Sequence, residues 1–539
     1  MFISVAVNIP TISGVFDYSV PPALEKDIHP GALVVVPFGK QVVQGIVVEQ
    51  VEVPAVEDIR EIIAVLDTLP ALTPAQLELG AWISHNTLNP LAACLDAMLP
   101  PGISQHADTL YSLSEMPGAD EQLTPLEKRI LSLLKKRGPL RGRQIGHAIP
   151  KLDWKPSALR LVKRGWVTSS PLLPPPAVRP RYVRTAMYSA SREKIEASRQ
   201  FLGKEEAAQR RLAVLEFLQN EPLPVLVNWV YAATGSSMAD LTLLAELGLV
   251  QLGETEVFRD PLDRYEITPL EPFDLTPAQD QVFGVVKQEL AGRAAGRKGK
   301  PVLLHGVTGS GKTEIYLRAI DLALQEGRQV LMMVPEIALT PQTVHRVAGR
   351  FPGQVGLIHS RLSDGERYDT WRRARSGQLK IIVGPRSALF TPLPNLGLII
   401  IDECHDEHFY QRDMLPYYSA VEAAIVYAGM TSSLILMGSA TPDVSLYWRA
   451  QKETWHILTL PDRVLAHRKI IEKHRLETAT PPGRYTLDGD AATLPLPPVR
   501  VVDMREELKS GNRSIFSRSL QQALQDVLAA GQQAILYLN

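Results

Sequence analysis

Residues 301–313 read PVLLHGVTGSGKT, an apolar run that leads into a glycine-rich loop and a Lys312-Thr313 pair. This spacing predicts a phosphate-binding loop between a strand and a helix. In such a loop the backbone N–H groups face phosphate oxygens, the lysine reaches the β- and γ-phosphates, and the threonine hydroxyl binds Mg²⁺. The alternative is a glycine-rich turn that binds nothing. The predicted nucleotide-binding residues are Gly306, Thr308, Gly309, Ser310, Gly311, Lys312 and Thr313.

A second motif, Asp402-Glu403-Cys404-His405, follows the apolar run 396–401. A carboxylate at the end of a buried strand beside a phosphate loop is suited to hold Mg²⁺ and the attacking water. We expect Asp402 to hold the metal and Glu403 to orient or deprotonate the water. His405 completes the set of catalytic candidates with Lys312. The alternative is an acidic pair that caps a strand.

From residue 275 onwards, apolar runs alternate with helical segments. The runs are 301–305, 329–334, 379–383, 396–401 and 433–437. Runs that are apolar throughout fit parallel strands buried on both faces, which predicts an α/β domain with a doubly wound parallel sheet. Gly438-Ser-Ala-Thr-Pro442 follows the last run. Its small hydroxylated residues would let that strand end approach the active site.

The preceding half of the chain has a different pattern of apolar and polar residues. Short β-branched segments such as Phe16–Val20 and Val42–Val48 predict a small β-rich N-terminal domain. Residues 122–172 predict three short helices and a strand, a winged-helix-like module, and residues 211–258 repeat the plan. The repeat indicates an internal duplication, or a chance likeness between helix-turn-strand units.

Composition limits the class of protein. The 539 residues carry a formal net charge of −1, with 45% hydrophobic and 21% charged residues. These values are typical of soluble proteins with several domains, and any nucleic-acid contact must come from local patches. Two cysteines, Cys94 and Cys404, exclude a disulfide framework and a four-thiolate zinc site within these residues. We expect no signal peptide, no membrane contact and a cytoplasmic protein.

Four further segments narrow the interpretation. They are Thr276-Pro-Ala-Gln279, Val334-Pro-Glu-Ile-Ala-Leu-Thr-Pro-Gln342, His359-Ser360 and Gly384-Pro-Arg-Ser-Ala-Leu-Phe-Thr-Pro392. With the motifs above they resemble the PriA family of bacterial replication-restart helicases, in helicase superfamily 2. The resemblance implies a RecA-like motor lobe in an ATP-dependent 3′-to-5′ DNA helicase of the replication-restart primosome. Such a helicase binds branched forks and couples ATP hydrolysis to DNA unwinding and replisome reloading.

The resemblance also assigns roles to individual residues. Gln279 would read adenine and Arg386 would meet the DNA backbone. Phe409 and Tyr410 belong to an aromatic loop (Phe409, Tyr410, Tyr417 and Tyr418) that would stack on single-stranded DNA, although packing against the lobe is the alternative. The residues that would capture a 3′ DNA end are Phe16, Asp17, Tyr18, Gly39 and Arg60. Ordinary strand packing is the alternative for Phe16 and Tyr18.

Two departures from the family pattern stand out. The acidic motif has Cys404 where the family usually has glutamate, and Ala420-Val421-Glu422 replaces an Ala-Arg-Asp segment. The chain stops at Asn539, so we expect the family's zinc-binding module and most of the second motor lobe to lie beyond it. This chain is therefore expected to bind ATP, Mg²⁺ and DNA but to hydrolyse ATP weakly.

The predicted organisation has five parts. They are the 3′-DNA-end-binding domain 1–105, a winged-helix-like domain with a proline-rich linker 106–180, a second winged-helix-like segment 181–265, motor lobe 1 at 266–460, and a linker with the start of lobe 2 at 461–539. The implied partners are branched and single-stranded DNA, single-strand-binding protein and primosome proteins, in a nucleoid-associated setting. Alternative functions are an ATP-binding DNA scaffold without unwinding activity, a nuclease or restriction motor lobe, and a nucleotide kinase.

Overall fold

The computed structural model describes the chain in two compact units, Met1–Leu460 and Pro461–Asn539. It describes all residues except 10–13, 40, 68, 104–107, 117–122, 151, 174–175, 199–200, 295, 298, 468–485, 489–490, 495–498 and 538–539. In the described part of the chain, no helix combines the length and the apolar character that crossing a membrane requires.

The N-terminal domain is built on an antiparallel sheet. Its strands are β1 (Phe2–Val7), β2 (Phe16–Ser19), β3 (Leu33–Phe38), β4 (Gln41–Val51) and β5 (Ala64–Val65), in the order β2-β1-β4-β3-β5. Because side chains alternate across a strand, Ile3 and Val5 pack into one core. Ala6 faces the other side, towards helices α1 (Pro74–Thr87) and α2 (Leu91–Asp96). The predicted β-rich N-terminal domain is confirmed.

Two small modules follow, and they share one order of elements except for one additional helix, α6, in the second. The first comprises β6 (Asp108–Leu113), α3 (Pro125–Arg137), β7 (Leu140–Arg141), α4 (Gly142–Ala148), α5 (Lys155–Lys163) and β8 (Val167–Leu172). The second comprises β9 (Tyr182–Tyr188), α6 (Arg192–Ser198), α7 (Glu205–Gln219), β10 (Val225–Leu226), α8 (Val227–Thr234), α9 (Met238–Glu246) and β11 (Val250–Glu256). In each, the first strand is the centre of a three-stranded antiparallel sheet, ordered β7-β6-β8 and β10-β9-β11. This shared topology is what an internal duplication predicts.

The motor domain is a seven-stranded sheet, ordered β14-β15-β13-β16-β19-β12-β20, in which all pairs are parallel. Its strands are β12 (Val302–Gly306), β13 (Gln329–Met333), β14 (Val355–Leu357), β15 (Ile381–Gly384), β16 (Leu396–Ile401), β19 (Leu434–Ser439) and β20 (His456–Leu460). Its helices are α10 (Pro277–Ala294), α11 (Lys312–Gln325), α12 (Pro341–Arg350), α13 (Asp364–Arg375), α14 (Ala420–Met430) and α15 (Val444–Lys452). The predicted doubly wound parallel sheet is confirmed.

Successive residues of the central strands point into opposite cores of the motor domain. Leu398 and Ile400 pack with α11 and α12, whereas Ile399 and Ile401 pack with α13 and α14. This burial on both faces explains why the strands are apolar throughout. A two-stranded hairpin, β17 (Tyr410–Gln411) with β18 (Tyr418–Ser419), leaves the sheet after β16. Short 3₁₀ helices lie at Pro22–Asp27, Pro261–Arg264, Glu336–Ala338, Arg386–Phe390 and Glu407–Phe409.

The first unit is held together across its domains by α1 and α13. Helix α1 packs on α14, where buried Gln76 donates its Nε2 to Phe390 O at 2.8 Å. From α13, Arg375 pairs with Asp67 of the N-terminal domain at 2.7 Å. Arg372, also on α13, pairs with Glu256 of the second module. The N-terminal domain and the second module therefore dock on the motor domain through specific polar contacts.

The second unit contains β21 (Arg463–His467), β22 (Thr486–Asp488) and β23 (Ala491–Leu494), in the order β21-β23-β22. Two helices follow, α16 (Met504–Lys509) and α17 (Arg518–Ala529). Each begins at a side-chain cap: Asp503 accepts from Arg505 N, and Ser517 accepts from Leu520 N. Such caps satisfy N–H groups that the helix itself leaves unpaired.

Each small module buries one carboxylate against an arginine. In the first, Glu127 accepts the Thr124 backbone N–H at 2.8 Å and Arg160 Nε at 2.9 Å. In the second, Asp240 accepts the Ser237 backbone N–H and, at 2.8 Å, Arg211 Nε. The acid lies on α3, before the other helices, in one module and on α9, the last helix, in the other. The two ion pairs are therefore equivalent in chemistry but not in position.

We expect Glu127→Gln to destabilise the first module in a pH-dependent way. Burial alone would raise the pKa of Glu127, but the hydrogen bonds from Thr124 and Arg160 hold the pKa below its ordinary value of 4.5. A carboxylate whose pKa is lower in the folded state than in the unfolded state stabilises the fold. This stabilisation is fully present at pH values above the unfolded-state pKa, and it is lost as the pH falls through the folded-state pKa. At pH 7 the free energy of unfolding should drop by roughly 1–3 kcal/mol.

The measurement is urea unfolding followed by circular dichroism at pH 7 and at several values below 4.5. The difference from wild type should shrink as the pH falls, because Glu127 itself becomes neutral. Lys128→Gln, at the exposed neighbouring position, is the control and should change little at either pH. An equal loss at neutral and acid pH would contradict the assignment.

Candidate functional site

The glycine-rich loop lies at the carboxyl edge of the parallel sheet, between β12 and α11. Gly309 and Gly311 have left-handed φ values of +82° and +86°, which residues with side chains rarely adopt. At Gly306 the reason is space, because a Cβ there would lie 2.7 Å from Ser310 Oγ. The loop therefore needs its glycines for both conformation and close packing.

The donors of the loop converge on one region. Lys312 Nζ donates to Gly306 O at 2.8 Å and lies 3.7 Å from Glu403 Oε1. Ser310 Oγ is buried and has no hydrogen-bond partner among the described residues. A buried hydroxyl without a partner is rare, and a phosphate oxygen would be a suitable acceptor. The lysine, this hydroxyl and the N–H groups at the start of α11 form a donor set that fits a polyphosphate.

The remaining loop residues differ in exposure. Thr308 is exposed at the tip of the loop, and Thr313 is half-buried in the first turn of α11. Thr313 directly follows Lys312, the first residue of that helix. The role of Thr313 as a ligand of phosphate-bound Mg²⁺ stays a prediction.

Gln279 contacts the phosphate loop directly. Its Nε2 donates to Ser310 O at 2.9 Å, and its Oε1 accepts from Thr276 N at 3.0 Å. The side chain is 5% exposed, so in this conformation both ends of the amide are used to brace the loop. The predicted contact of Gln279 with adenine stays a prediction.

Asp402 follows β16 and faces α11. Its Oδ1 accepts two hydrogen bonds, from Tyr316 Oη at 3.0 Å and from Glu403 N at 3.1 Å. Both of these hydrogen bonds end on Oδ1, and the role of Asp402 as a metal ligand stays a prediction. Burial, and after it the neighbouring Glu403, raises the pKa of Asp402 above 3.8. Sequence reasoning missed Tyr316, although its position four residues after Lys312 puts it one helical turn along the same face.

Glu403 lies between two groups that can orient it. Its φ is +48°, which is unusual for a residue with a side chain. Its Oε1 lies 3.7 Å from Lys312 Nζ and its Oε2 3.6 Å from His405 Nδ1. His405 Nδ1 is hydrogen-bonded to Ser439 Oγ at 2.8 Å, and Ser439 Oγ accepts from Thr441 N at 2.9 Å. The structure thus brings the three motifs together at the ends of β12, β16 and β19.

Cys404 is the residue at which the acidic motif departs from the family pattern. Its backbone N–H donates to Gly438 O at 3.0 Å, and its side chain is buried. Burial, followed by Glu403 and Asp402, raises the pKa of the thiol to about 12. The thiol is therefore protonated at neutral pH, and the departure adds no charge beside Asp402.

The hairpin of β17 and β18 presents aromatic rings to solvent. Tyr410 and Tyr417 are 50% and 48% exposed. The Arg412 guanidinium lies 4.9 Å from the centre of the Tyr410 ring. Arg386 Nη1 donates to the backbone carbonyls of His408 and Tyr410 at 3.2 and 2.9 Å. Exposed rings beside arginines are suited to stack on bases, and the predicted backbone contact of Arg386 with DNA stays a prediction.

Two rings of the aromatic cluster are not available for stacking. Phe409 and Tyr418 are each 2% exposed, and Tyr418 packs 5.2 Å from the Phe390 ring. Phe409 packs in the core in this conformation, and its predicted contact with DNA stays a prediction. Phe409 and Tyr418 thus face the core, whereas Tyr410 and Tyr417 face solvent.

Asn89 anchors the hairpin to the N-terminal domain. It follows α1, is 4% exposed, and bonds both backbone groups of Tyr417. Its Nδ2 donates to Tyr417 O at 2.9 Å and its Oδ1 accepts from Tyr417 N at 3.1 Å. Ser84 Oγ in turn donates to Asn89 O at 2.7 Å. Nothing in the sequence indicated this contact, because 328 residues separate the two partners.

A pocket of about 530 Å³ opens at the edge of the N-terminal sheet. Asp17 lies in its wall, and its carboxylate accepts from Ser4 Oγ and from Ala55 N, each at 2.7 Å. Arg60 Nη1 donates to Gly39 O at 2.9 Å. The predicted end-binding residues that line this pocket are Phe16, Asp17, Tyr18, Gly39 and Arg60.

The two aromatic residues of the pocket differ in exposure. Phe16 is half-buried and packs edge-on against Phe38, 4.9 Å between ring centres. Tyr18 is 4% exposed and donates its hydroxyl to Pro37 O at 3.1 Å. Burial raises the pKa of Tyr18 to about 12, against the opposing effect of Arg60. Phe16 is therefore the better candidate for stacking, and Tyr18 contributes mainly to the wall.

Both the N-terminal domain and the motor domain are similar to families of known proteins. Residues 4–100 match the family model of the PriA 3′ DNA-binding domain, and residues 276–447 match that of the DEAD/DEAH box helicases. The replication restart protein PriA of Bacillus subtilis is 36% identical over 100% of this chain and 62% of its own length. That of Synechocystis is 36% identical over 99% of this chain and 60% of its own.

Among solved structures, RecG bound to a three-way DNA junction is similar over 35% of this chain and 24% of its own, with 25% identity and a TM-score of 0.27. The chain spans about 62% and 60% of the lengths of the two relatives named above.

We expect Asn89→Ala to loosen the aromatic hairpin. The substitution removes the two hydrogen bonds to Tyr417, which together contribute about 1–2 kcal/mol, and this corresponds to a roughly 5–30-fold larger open population. Limited trypsin digestion, with cleavage after Arg412 measured by mass spectrometry, reports this population. Cleavage after Arg505, which is 87% exposed in the second unit, is the internal reference.

Asn86→Ala is the matched control. Asn86 is an exposed asparagine of α1 that bonds within its own helix, to Trp82 O at 2.8 Å. Cleavage after Arg412 should be unchanged in this variant. Equal cleavage rates in wild type and Asn89→Ala would show that Asn89 does not hold the hairpin.

Proposed function

Because this chain is related along its whole length to the replication restart proteins PriA, we propose that it is part of an ATP-dependent DNA helicase that acts in replication restart. The observation that carries the proposal is the meeting of Lys312, Asp402 and Glu403 at one edge of a parallel sheet. A 3′-to-5′ direction, fork binding and replisome reloading belong to the proposal through the family resemblance.

The nucleotide chemistry assigns one task to each group. The backbone N–H groups of residues 306–313 and Ser310 Oγ bind phosphate oxygens, and Lys312 neutralises charge at the β- and γ-phosphates. Thr313 and Asp402 would hold Mg²⁺, which when bound neutralises phosphate charge and polarises the group to be transferred. Glu403 orients the attacking water or accepts its proton. Its distances to Lys312 and His405 support this role, because a contact on each side restricts its rotation.

The DNA ligands are proposed to be branched and single-stranded. In the N-terminal pocket Phe16 stacks on the terminal base, and Asp17 accepts a hydrogen bond from the terminal 3′-hydroxyl. On the motor domain Tyr410 and Tyr417 stack on single-stranded bases next to Arg412. Single-strand-binding protein and other primosome proteins, in a nucleoid-associated setting, complete the proposal on the basis of resemblance alone.

We expect Lys312→Ala to weaken the binding of Mg²⁺-ATP by about 30–100-fold, because a charge-assisted contact with phosphate is lost. Glu403→Gln should bind within about threefold of wild type, since it acts on water and not on phosphate. A fluorescent ATP analogue titrated by anisotropy measures both. Lys300→Ala, at an exposed position before β12, is the control, and equal binding by Lys312→Ala would refute the assigned nucleotide site.

We expect Asp17→Asn to reduce the preference for a free 3′-hydroxyl. Wild type should bind an oligonucleotide with a 3′-hydroxyl roughly tenfold more tightly than one with a 3′-phosphate, because the carboxylate repels the phosphate. The variant should lose most of this ratio, as measured by anisotropy with labelled oligonucleotides. Glu49→Gln, at an exposed position of β4, should keep it. If wild type binds both ends equally, the pocket is not an end-binding site.

A further inference from the structure

We propose that Tyr316 is a positioning residue for Asp402, and that its hydroxyl sets how strongly Mg²⁺ tightens nucleotide binding. The inference rests on the proposed function, because it assumes that Asp402 holds the magnesium ion of a bound nucleotide. Tyr316 lies outside the sequence motifs, on the helix α11 that follows the glycine-rich loop.

The position of Tyr316 is rigidly determined. It lies in the second turn of α11, and its relative exposure is 0%. The helix begins at Lys312, so the residue that binds phosphate and the residue that contacts Asp402 are one turn apart on one helix. A movement of this helix would shift both contacts together.

The hydroxyl has a single tight location. It donates to Asp402 Oδ1 at 3.0 Å, and a Cβ built on Gly438 would lie only 1.6 Å from Tyr316 Oη. The hydroxyl therefore occupies the space that a side chain at residue 438 would need. Gly438 does not have a positive φ, so the glycine is required here by space and not by backbone conformation. This explains why the first residue of the Gly-Ser-Ala-Thr segment is glycine.

The contact fixes the orientation of the carboxylate. Tyr316 Oη and Glu403 N both bond Oδ1 of Asp402, and two donors on one oxygen restrict rotation of the group. Oδ2 is then held in one direction relative to Oδ1. Hydrogen bonds to a metal-ligating carboxylate commonly change metal affinity or activity by about 10–100-fold. A phenylalanine would fill the same space without this constraint.

The experiment compares nucleotide affinity with and without magnesium in this chain. A fluorescent ATP analogue is titrated in saturating Mg²⁺ and in EDTA, and the ratio of the two dissociation constants is the readout. For Tyr316→Phe we expect the affinity in EDTA to stay within about twofold, and the ratio to fall by roughly 10–100-fold. A residue that only fills the core would not change this ratio selectively.

Two controls sharpen the result. Tyr427→Phe removes a hydroxyl from another buried tyrosine, on α14 at the opposite face of the sheet, and should leave the ratio unchanged. In an Asp402→Asn background, Tyr316→Phe should have little further effect, because the tyrosine acts through the carboxylate. Thermal unfolding of each variant reports whether the fold is intact.

Each outcome decides one statement. If wild type binds no more tightly with Mg²⁺ than in EDTA, the proposed function fails. If wild type responds to Mg²⁺ and Tyr316→Phe keeps the ratio, the inference about Tyr316 is overturned. It is also overturned if the variant loses affinity equally in Mg²⁺ and EDTA, or if its effect is unchanged in the Asp402→Asn background.

Discussion

The parallel pairing of β16 with β19 and of β19 with β12 is the constraint on which the candidate site depends. It aligns the ends of three strands that are far apart in sequence, so the glycine-rich loop, the acidic motif and Ser439 meet at one edge. Because both faces of these strands are buried, a shift in the register of one strand against its neighbour would expose apolar side chains. The short distances at the site are a consequence of this register, with Lys312 and Glu403 3.7 Å apart and His405 and Ser439 2.8 Å apart.

Sequence reasoning worked best where function depends on local chain geometry. An apolar strand precedes both the loop around Lys312 and the carboxylates of Asp402 and Glu403. A strand that ends in a charged or glycine-rich turn can be recognised within a short stretch of sequence. The same holds for the doubly wound parallel sheet. In all these cases the signal lies within a few residues, where hydrophobic period and turn chemistry act directly.

The contacts that sequence reasoning missed join distant segments. Tyr316 and Asp402 are 86 residues apart, and Asn89 and Tyr417 are 328 apart. The sequence around Tyr316 and the sequence around Asn89 contain no motif that marks either residue. Only the fold therefore reveals their partners. Phe409 illustrates the converse: its neighbour Tyr410 is exposed while it is buried, and an aromatic-rich segment alone does not tell which rings face the core. Tertiary packing decides these cases.

The packing of α1 on α14 has a consequence for how the first unit behaves as a folding entity. Leu79 and Ile83 of α1 belong to the same continuous core as Tyr427 of α14, and Gln76 satisfies a carbonyl of the motor domain. Separating the two domains would expose apolar surface on both and leave buried polar groups without partners. The N-terminal domain, which looks autonomous in sequence, therefore shares one of its two cores with the α/β sheet. Local unfolding of either part should therefore propagate to the other, as within a single cooperative foldon.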